Sequence, residues 1–324
     1  MAFDKHMLRL DCAAEADRIG DTLRKQLREI RRKGVVLGLS GGIDSSVTAA
    51  LAVRALGPER VFGICMPEAD SDPESLALGR QLADHFGIRT VVEDIAPALA
   101  ALKCYERRNE AVARVVPGFT PEWKFKLVLP GPEHRGLSFY SVVARSPDGT
   151  EVRERLPLDA YLAIVAATNF KQRVRKMVEY HWADRLNHAV AGTPNRLEYD
   201  QGFFVKQGDG AADVKPIAHL YKTQVYALAE HLGVPENIRR RPPTTDTYSL
   251  PQGQDEFYFS LPYDKLDLCL YGRNHGIAAA DIAAAAGLSE EQVQHAYKDI
   301  DTKRSTTRYQ HLAPLLVEPI AGVG

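Results

Sequence analysis

Cysteine is scarce in this sequence, and the cysteines present lack the spacing of a metal or redox site. The chain has 324 residues and four cysteines, Cys12, Cys65, Cys104 and Cys269, with no CxxC or CxxxC pair among them. This argues against a zinc site and against a paired redox centre. Cys65 falls in the apolar run VFGICM, where we expect a small buried residue.

Long apolar runs and a strong charge of either sign are also missing. No apolar run approaches the length of a membrane span, and the opening segment lacks the pattern of a signal peptide. The formal net charge is −1, and the basic clusters at 31–33 and 239–241 are short. We therefore expect a reduced, cytoplasmic protein with neither a membrane nor a nucleic-acid partner.

What the sequence does contain is an alternation of strand and helix patterns. VVLGL (35–39), VFGICM (61–66) and IRTVVEDI (88–95) have the composition of buried parallel strands. Helical patterns separate them, and a helix ending near Gly34 precedes the first. This order predicts an α/β fold with a doubly wound parallel sheet of the Rossmann type. A ligand would lie at the carboxyl ends of its strands.

The alternation stops between about residues 105 and 157. This stretch is rich in aromatic and β-branched residues, and the turn SPDGT (146–150) separates two alternating runs, so we predict a β-hairpin there. The helical pattern resumes over 160–187. We therefore predict that the whole 324-residue chain is one domain, with 105–157 inserted in it as a β-rich segment. Helices are also predicted near 278–286 and 289–298, followed by an irregular tail.

The segment SGGIDSS (40–46) follows the first strand and has the character of a phosphate loop. Its two glycines let the backbone turn sharply, and the next helix presents its positive N-terminal end to the same point. The loop lacks the lysine of the GxxxxGK[ST] motif. Asp44 is acidic where a polyphosphate would lie, which is unfavourable unless a divalent cation lies between them. Asp44 is therefore the first candidate ligand for Mg²⁺.

Several ordered motifs carry a resemblance to a known family. SGGIDSS resembles the pyrophosphate loop of the N-type ATP pyrophosphatases, and the second half of the chain is similar to the NAD synthetase branch of that superfamily. The motifs are NFKQRVRKM (169–177), GTPNRLE (192–198), GFFVKQGDGAADVKPI (202–217), LYKTQVYALAEHLGVPE (220–236) and RPPTTD (241–246), with a partial match at DTKRSTTRYQHLAP. The resemblance implies an adenine nucleotide alpha-hydrolase-like fold.

The resemblance also implies a role for each motif. It assigns catalysis to Asp44, Lys206 and Lys222, and a shared Mg²⁺ to Asp44 and Glu198. The second substrate is expected to contact a set of charged residues, namely Arg173, Lys206, Asp209, Asp213 and Lys303. ATP is expected to contact the loop and its surroundings, namely Gly38, Ser40, Gly41, Gly42, Asp44, Ser45, Ser46, Thr193, Lys222, Thr244 and Thr245. Because Arg173 and Arg175 lie two apart on a helix, we expect at most one of them to face a given ligand.

The reaction that the resemblance implies has two steps. The nicotinate carboxylate of deamido-NAD attacks the α-phosphorus of ATP and expels pyrophosphate. Ammonia then converts the acyl adenylate to the amide and releases AMP. Only about forty residues precede the loop, so we expect no glutaminase domain there, and ammonia would come from solution or from a separate glutaminase. The family also leads us to expect a homodimer.

Three other functions stay open. The same adenylation and amidation could act on another small carboxylate, with the 105–157 segment building or covering a different acceptor pocket. A sulphur-transfer enzyme is a second alternative, although the absence of a CxxC pair and of a basic nucleic-acid face argues against tRNA thiolation. A catalytically silent nucleotide-binding module, or a glutaminase partner, is a third. It is disfavoured because Asp44, Glu198 and Lys222 are all present.

Overall fold

A computed structural model describes residues 4–129, 140–244, 247–253, 258–259 and 261–322. Its helices are α1 (Cys12–Glu29), α2 (Ile43–Leu56), α3 (Pro73–Phe86), α4 (Ala96–Ala101), α5 (Cys104–Ala113), α6 (Leu158–Leu186), α7 (Arg196–Gln201), α8 (Lys222–His231), α9 (Glu236–Arg240), α10 (Tyr263–Asn274), α11 (Ala279–Ala286) and α12 (Glu290–His311). Its strands are β1 (Val35–Gly38), β2 (Val61–Cys65), β3 (Arg89–Val92), β4 (Lys124–Val128), β5 (Ser141–Arg145), β6 (Glu151–Arg155) and β7 (Ala189–Val190). Within the described ranges, no helix is both long enough and apolar enough to cross a membrane.

Four parallel strands form the central sheet in the order β3-β2-β1-β7. Successive residues of β1 point to opposite faces, since Val35 and Leu37 pack in one apolar core and Val36 packs in another. Helices α1, α2, α3 and α8 cover the first face, and α6 covers the second. Helices on both faces of a parallel sheet confirm the predicted doubly wound α/β fold.

The turn between β1 and α2 requires glycine at position 41. Gly41 has a φ of +72°, and a Cβ there would lie 2.7 Å from the carbonyl oxygen of Ser75. Both the backbone conformation and the close approach of α3 therefore exclude a larger residue. α3 begins at Pro73 because the Asp72 side chain caps it, accepting a hydrogen bond from Glu74 N at 2.9 Å. The packing of α3 thus fixes the loop at the carboxyl end of β1.

A second, antiparallel sheet has the order β4-β5-β6. β5 pairs with β6 along its whole length, which confirms the predicted hairpin. Apolar residues of β4 and β5 pack against α5 and the first turns of α6. The segment predicted to be β-rich starts differently, however, because residues 104–113 form α5. Its buried residues Cys104, Arg108, Ala111 and Val112 recur at helical spacing.

The C-terminal region is more helical than the sequence patterns predict. α12 continues to His311 instead of ending near 298, so the irregular tail begins only after it. The sequence patterns do not predict α10 at all. Its consecutive residues 266–270 are all buried, so the helix is covered on most of its faces. Burial on most faces removes the amphipathic period by which a surface helix is recognised.

Candidate active site

A cavity of about 690 Å³ opens at the carboxyl ends of β1, β2 and β7. Its wall combines the phosphate loop, one side of α6, the segment after β7, residues 202–206 with Asp209, and the start of α8. Most of the predicted site residues line it: Gly38, Ser40, Gly42, Asp44, Ser45, Arg173, Thr193, Glu198, Lys206, Asp209, Lys222 and Thr244. Thr245 lies outside the described residues. Motifs far apart in the sequence therefore meet around one space, which is large enough for a nucleotide-sized ligand.

The hydroxyl groups of the phosphate loop are held by hydrogen bonds within the loop. Ser45 Oγ donates to the Gly42 carbonyl oxygen (3.0 Å) and lies 3.0 Å from Ser40 Oγ. Ser46 Oγ donates to the same carbonyl oxygen (2.8 Å) and is fully buried. Ser40 and Ser45 belong to the cavity wall, whereas Gly41 and Ser46 do not. Gly41 packs closely against α3, and Ser46 is buried. Both residues therefore shape the loop and do not face the cavity.

Asp44 lies in the first turn of α2, where it meets the first residue of α8. Its Oδ2 accepts a hydrogen bond from Lys222 Nζ, and its Oδ1 accepts one from Asn195 Nδ2 at 3.1 Å. Lys222 is fully buried, and its ammonium lies 5.3 Å from the ring centroid of Tyr263. Burial alone would lower the pKa of Lys222, but the charges of Asp44 and Glu198 outweigh it and raise the pKa. Lys222 therefore stays positively charged.

Asn195 caps α7 and connects Asp44 to Glu198. Its Oδ1 accepts hydrogen bonds from Leu197 N (3.0 Å) and Glu198 N (3.2 Å), and Glu198 Oε2 accepts one from Asn195 N (3.1 Å). This capping box fixes both side chains. Burial and the nearby charge of Asp44 raise the pKa of Glu198 to about 8, against the opposing charge of Lys222. Two carboxyl groups thus share one lysine.

Asp267 fixes the start of α8 and with it Lys222. Its Oδ1 accepts a hydrogen bond from Lys222 N (3.2 Å) and its Oδ2 accepts one from Thr223 N (2.7 Å). It therefore satisfies two amide groups at a helix N-terminus. Burial raises the pKa of Asp267 to about 6 in spite of these bonds. Sequence reasoning missed Asp267 because α10 gave no helical signal, and it missed Asn195 although the GTPNRLE motif contains it.

Buried charges also lie on the wall formed by α6 and by residues 202–213, the glycine-rich loop. Lys176 Nζ and Glu179 Oε2 form a buried ion pair at 2.5 Å, and burial raises the pKa of Glu179. Asp209 Oδ1 accepts a hydrogen bond from Val205 N at 2.8 Å, and burial raises the pKa of Asp209 as well. This part of the wall therefore presents two carboxyl groups that take up protons more readily than usual.

Arg173 and Arg175 of α6 both line the cavity, so the prediction that at most one of them faces a given ligand stays a prediction. Gln172 and Lys176, one turn apart, lie on the same side of the helix and also line the cavity. Arg173 and Arg175 flank this row on opposite sides, and their long side chains reach the cavity from both flanks. Arg173 Nε donates to the carbonyl oxygen of Lys206 (3.3 Å), which joins α6 to the glycine-rich loop.

Besides Gly41 and Ser46, two more predicted site residues lie outside the cavity wall. Asp213 Oδ2 accepts a hydrogen bond from Val190 N (2.7 Å), so it ties the glycine-rich loop to β7. Lys303 Nζ donates to the Tyr258 carbonyl oxygen (2.6 Å) and to Asp299 Oδ2 (2.6 Å) on its own helix. Both side chains therefore form hydrogen bonds with other groups of the protein, although substrate contacts were predicted for them.

Arg241 adds a guanidinium group to the wall that sequence reasoning did not assign. Its Nη2 pairs with Asp72 Oδ2 (2.9 Å), and its Nη1 donates to Ser75 Oγ (3.2 Å), near the N-terminus of α3. The available signal was its position directly before the PPTT sequence. Tyr140 and Tyr161 also line the cavity, with ring centroids 4.6 Å apart and nearly parallel rings. No sequence motif pointed to these two tyrosines.

The family model described as NAD synthase matches residues 15–116 and 153–310. The chain belongs to the NAD synthase family. The match leaves out residues 117–152, which include β4 and β5.

Curated relatives of the NAD synthase family match nearly the whole chain. The NH(3)-dependent NAD(+) synthetase of Rhizobium meliloti (strain 1021) is 60% identical over 321 residues, which cover 99% of this chain and 96% of that protein. The protein of the same name from Mesorhizobium japonicum is 61% identical over 312 residues, which cover 96% and 98%. The solved structure of the NH3-dependent NAD synthetase from Campylobacter jejuni is 22% identical, with a TM-score of 0.63 over 95% of this chain and 100% of that chain, and it shares the fold.

In this member of the NAD synthase family, the carboxyl groups that could hold a cation are those of Asp44 and Glu198. Within the described ranges, no cluster of three or more His, Cys, Asp or Glu side chains could hold a metal ion. Mg²⁺ is commonly bound by one or two carboxylates, with substrate phosphates and water supplying the other ligands. Burial raises the pKa of Glu198 most and the charge of Asp44 raises it further, and a divalent cation would offset both effects. The donor set therefore fits Mg²⁺.

Proposed function

We propose that this chain is an ATP-dependent amide ligase that converts deamido-NAD and ammonia to NAD, with release of AMP and pyrophosphate. The observation that supports this most directly is a single cavity whose wall combines the phosphate loop with the glycine-rich loop. Curated relatives at 60% and 61% identity carry the name NH(3)-dependent NAD(+) synthetase. The substrates are therefore ATP, the dinucleotide and ammonia, which comes from solution or from a separate glutaminase.

In the first step, the nicotinate carboxylate displaces pyrophosphate from the α-phosphorus of ATP. The N-terminus of α2 and the ammonium of Lys222 supply positive charge where negative charge gathers on the phosphates. Lys222 suits this role because it is buried and held by both Asp44 and Asp267. The chain contributes positioning and charge neutralisation to this step, and no covalent nucleophile is required.

In the second step, ammonia attacks the carbonyl carbon of the acyl adenylate, AMP leaves and the amide forms. An ammonium ion must lose a proton before its nitrogen can attack, and a buried carboxyl group with a raised pKa is suited to accept it. Asp209 and Glu179 meet this description on the cavity wall. Arg173 and Lys206 are the proposed contacts to the dinucleotide, although Lys206 Nζ also donates to two carbonyl oxygens at the end of α12.

Mg²⁺ is the proposed cation of the site, held by Asp44 and Glu198. When bound, it would supply charge that stabilises the departing pyrophosphate. Asn195 supports this assignment because it hydrogen-bonds to both carboxylate residues and so holds them side by side.

We also propose a cytoplasmic homodimer in which each chain is one domain with 105–157 inserted. The family match supports the insertion because it leaves out 117–152. Exposed apolar side chains on α6 support the dimer: Leu158, Leu162 and Met177 are 71%, 53% and 63% exposed. Light scattering on the purified protein would measure the mass, and a monomer at micromolar concentration would contradict the dimer.

The function is tested by measuring pyrophosphate release with ATP, Mg²⁺ and ammonium chloride, with and without deamido-NAD. We expect release only when the dinucleotide is present, with NAD and AMP formed in equal amounts. Binding of ATP without stimulation by the dinucleotide would contradict this acceptor and point to another small carboxylate. Pyrophosphate release that depends on a sulphur donor instead of ammonium would favour the sulphur-transfer alternative.

A further inference from the structure

The segment Thr247–Gly253, which follows the PPTT sequence, lies against strand β4. Phe125 N donates to Ser249 Oγ (2.9 Å), and Leu250 N donates to the Phe125 carbonyl oxygen (3.1 Å). Gln252 Nε2 donates to the Leu127 carbonyl oxygen, and Gln252 itself is 4% exposed. The segment therefore makes hydrogen bonds to β4 at several successive positions.

Apolar contacts also join residues 247–253 to the antiparallel sheet. The Tyr248 and Phe125 rings have centroids 5.6 Å apart, and Leu250 packs in a small cluster with Val128 of β4 and Val143 of β5. Tyr248 and Leu250 are each 4% exposed. Tyr248 also belongs to the cavity wall, so one side chain joins the β4 contact to the site.

Lys171 of α6 holds the beginning of the segment. Its Nζ donates to the Thr247 carbonyl oxygen (2.8 Å), Glu68 Oε1 (2.9 Å) and Asp70 Oδ2 (2.6 Å). Lys171 is 1% exposed, so this position is fixed in the interior. Thr247 and Glu68 both line the cavity, and the lysine therefore ties two parts of its wall together.

We propose that β4 is a docking strand for residues 247–253 and thereby positions the side of the ATP site that residues 242–244 and Thr247 line. This inference rests on the proposed function, because it takes the cavity to be the site where ATP is used. Ser249 and Gln252 are the positioning residues, acting through the segment they anchor without touching substrate. Residues 117–152, which include β4, lie outside the family match.

The test uses Ser249→Ala in the full-length protein, with Ser146→Ala as the matched control. Ser146 lies in the β5–β6 turn, where its hydroxyl bonds to the Thr150 carbonyl oxygen (3.1 Å) and to Asp148. The control therefore loses a hydroxyl group next to the same antiparallel sheet without touching residues 247–253. Ser249→Thr, which keeps a hydroxyl, is the rescue variant.

We expect Ser249→Ala to raise KM for ATP about 2- to 10-fold, the effect of one neutral hydrogen bond, with kcat changed less than KM. Hydrogen exchange at the Leu250 amide should quicken about 2- to 10-fold, because that amide reports docking on β4. Ser249→Thr and Ser146→Ala should resemble the wild type in both measurements.

Two results would overturn the inference. One is unchanged exchange at Leu250 in Ser249→Ala, which would mean that the hydroxyl does not hold the segment. The other is faster exchange with a KM for ATP equal to that of Ser146→Ala, which would mean that docking does not reach the site. If the wild type makes no NAD, the proposed function fails on its own. The same comparison can then be made with ATP binding measured by calorimetry.

Discussion

Two groups of buried charge meet at this cavity, and they differ in balance. The first, the phosphate-side cluster, consists of Asp44, Asn195, Glu198 and Lys222. It contains two carboxyl groups and one lysine. The pKa of Glu198 rises to about 8 because burial and the charge of Asp44 outweigh the charge of Lys222. Among these four residues, two carboxyl groups stand beside one cation.

The second group, the support cluster, consists of Glu68, Asp70, Arg108 and Lys171. It sets two carboxylates against two cations, since Lys171 Nζ pairs with Glu68 (2.9 Å) and Asp70 (2.6 Å), and Arg108 also pairs with Asp70. Burial alone would raise the pKa of Asp70, but Lys171 and Arg108 outweigh it and lower the pKa. The support cluster is neutral without any ligand.

The comparison separates a binding site from a structural one. A neutral buried cluster gains nothing from a cation and stabilises the fold by holding several segments together. A cluster with excess negative charge is destabilised by its own carboxyl groups until a cation or a proton arrives. Balance of charge, more than burial, therefore supports the catalytic role proposed for the phosphate-side cluster and a structural role for the support cluster. The following variants test that assignment.

The largest effect is expected for Asp44→Asn, which removes a charge from the phosphate-side cluster with little change in shape. We expect kcat/KM to fall by at least about 10³-fold, because Mg²⁺ loses a ligand and Lys222 loses its ionic partner. The matched variant is Asp70→Asn in the support cluster, which should retain most activity and lose stability instead. Steady-state kinetics and urea unfolding on both proteins make the comparison. Near-wild-type turnover by Asp44→Asn would remove Asp44 from the metal site.

The next effect is expected for Lys171→Met, which leaves the carboxylates of Glu68 and Asp70 without their lysine. Removing one partner from a buried ion pair costs about 3 to 5 kcal/mol. We expect the free energy of unfolding, measured with urea, to fall by that amount. The control is Arg145→Met, because the Arg145–Glu151 pair is about half exposed on both sides and should matter little. Equal losses in the two variants would contradict a supporting role for Lys171.

Sequence patterns predicted the sheet and the phosphate loop because their signals are local. VVLGL followed by SGGIDSS places a strand, a turn and a helix in a dozen residues, and Gly41 is required by the turn itself. Glu198 and Lys222 were found through motifs. The fold class, which the structure confirms, therefore follows from strand, turn and helix signals carried by residues close together in the sequence.

The support cluster, Asp267 and Arg241 could not be predicted in the same way. Lys171 meets Asp70 across 101 positions of sequence, and Arg241 meets Asp72 across 169. A single lysine or aspartate carries no local sign of such a partner, since most charged residues are solvated. Lys303 stays a predicted substrate contact. In this structure its ammonium donates a hydrogen bond to the Tyr258 carbonyl oxygen.

The smallest effect, and the finest test of the comparison, is the pH dependence of stability in Glu198→Gln. When the pKa of a carboxyl group is higher in the folded state than in the unfolded state, the group stabilises the fold at pH values below its unfolded pKa. That contribution to the free energy of unfolding is lost as the pH rises through the folded pKa. For Glu198 that window runs from about 4.5 to about 8. Without metal or nucleotide, the free energy of unfolding of the wild type should therefore fall more steeply across this window than that of Glu198→Gln, by at most about 1.4 kcal/mol per pH unit.

Urea unfolding in a chelating buffer at several pH values measures the two slopes, with Glu151→Gln in β6 as an exposed control. Identical slopes would mean that the phosphate-side cluster has no excess negative charge, and the contrast between the two clusters would then lose its basis.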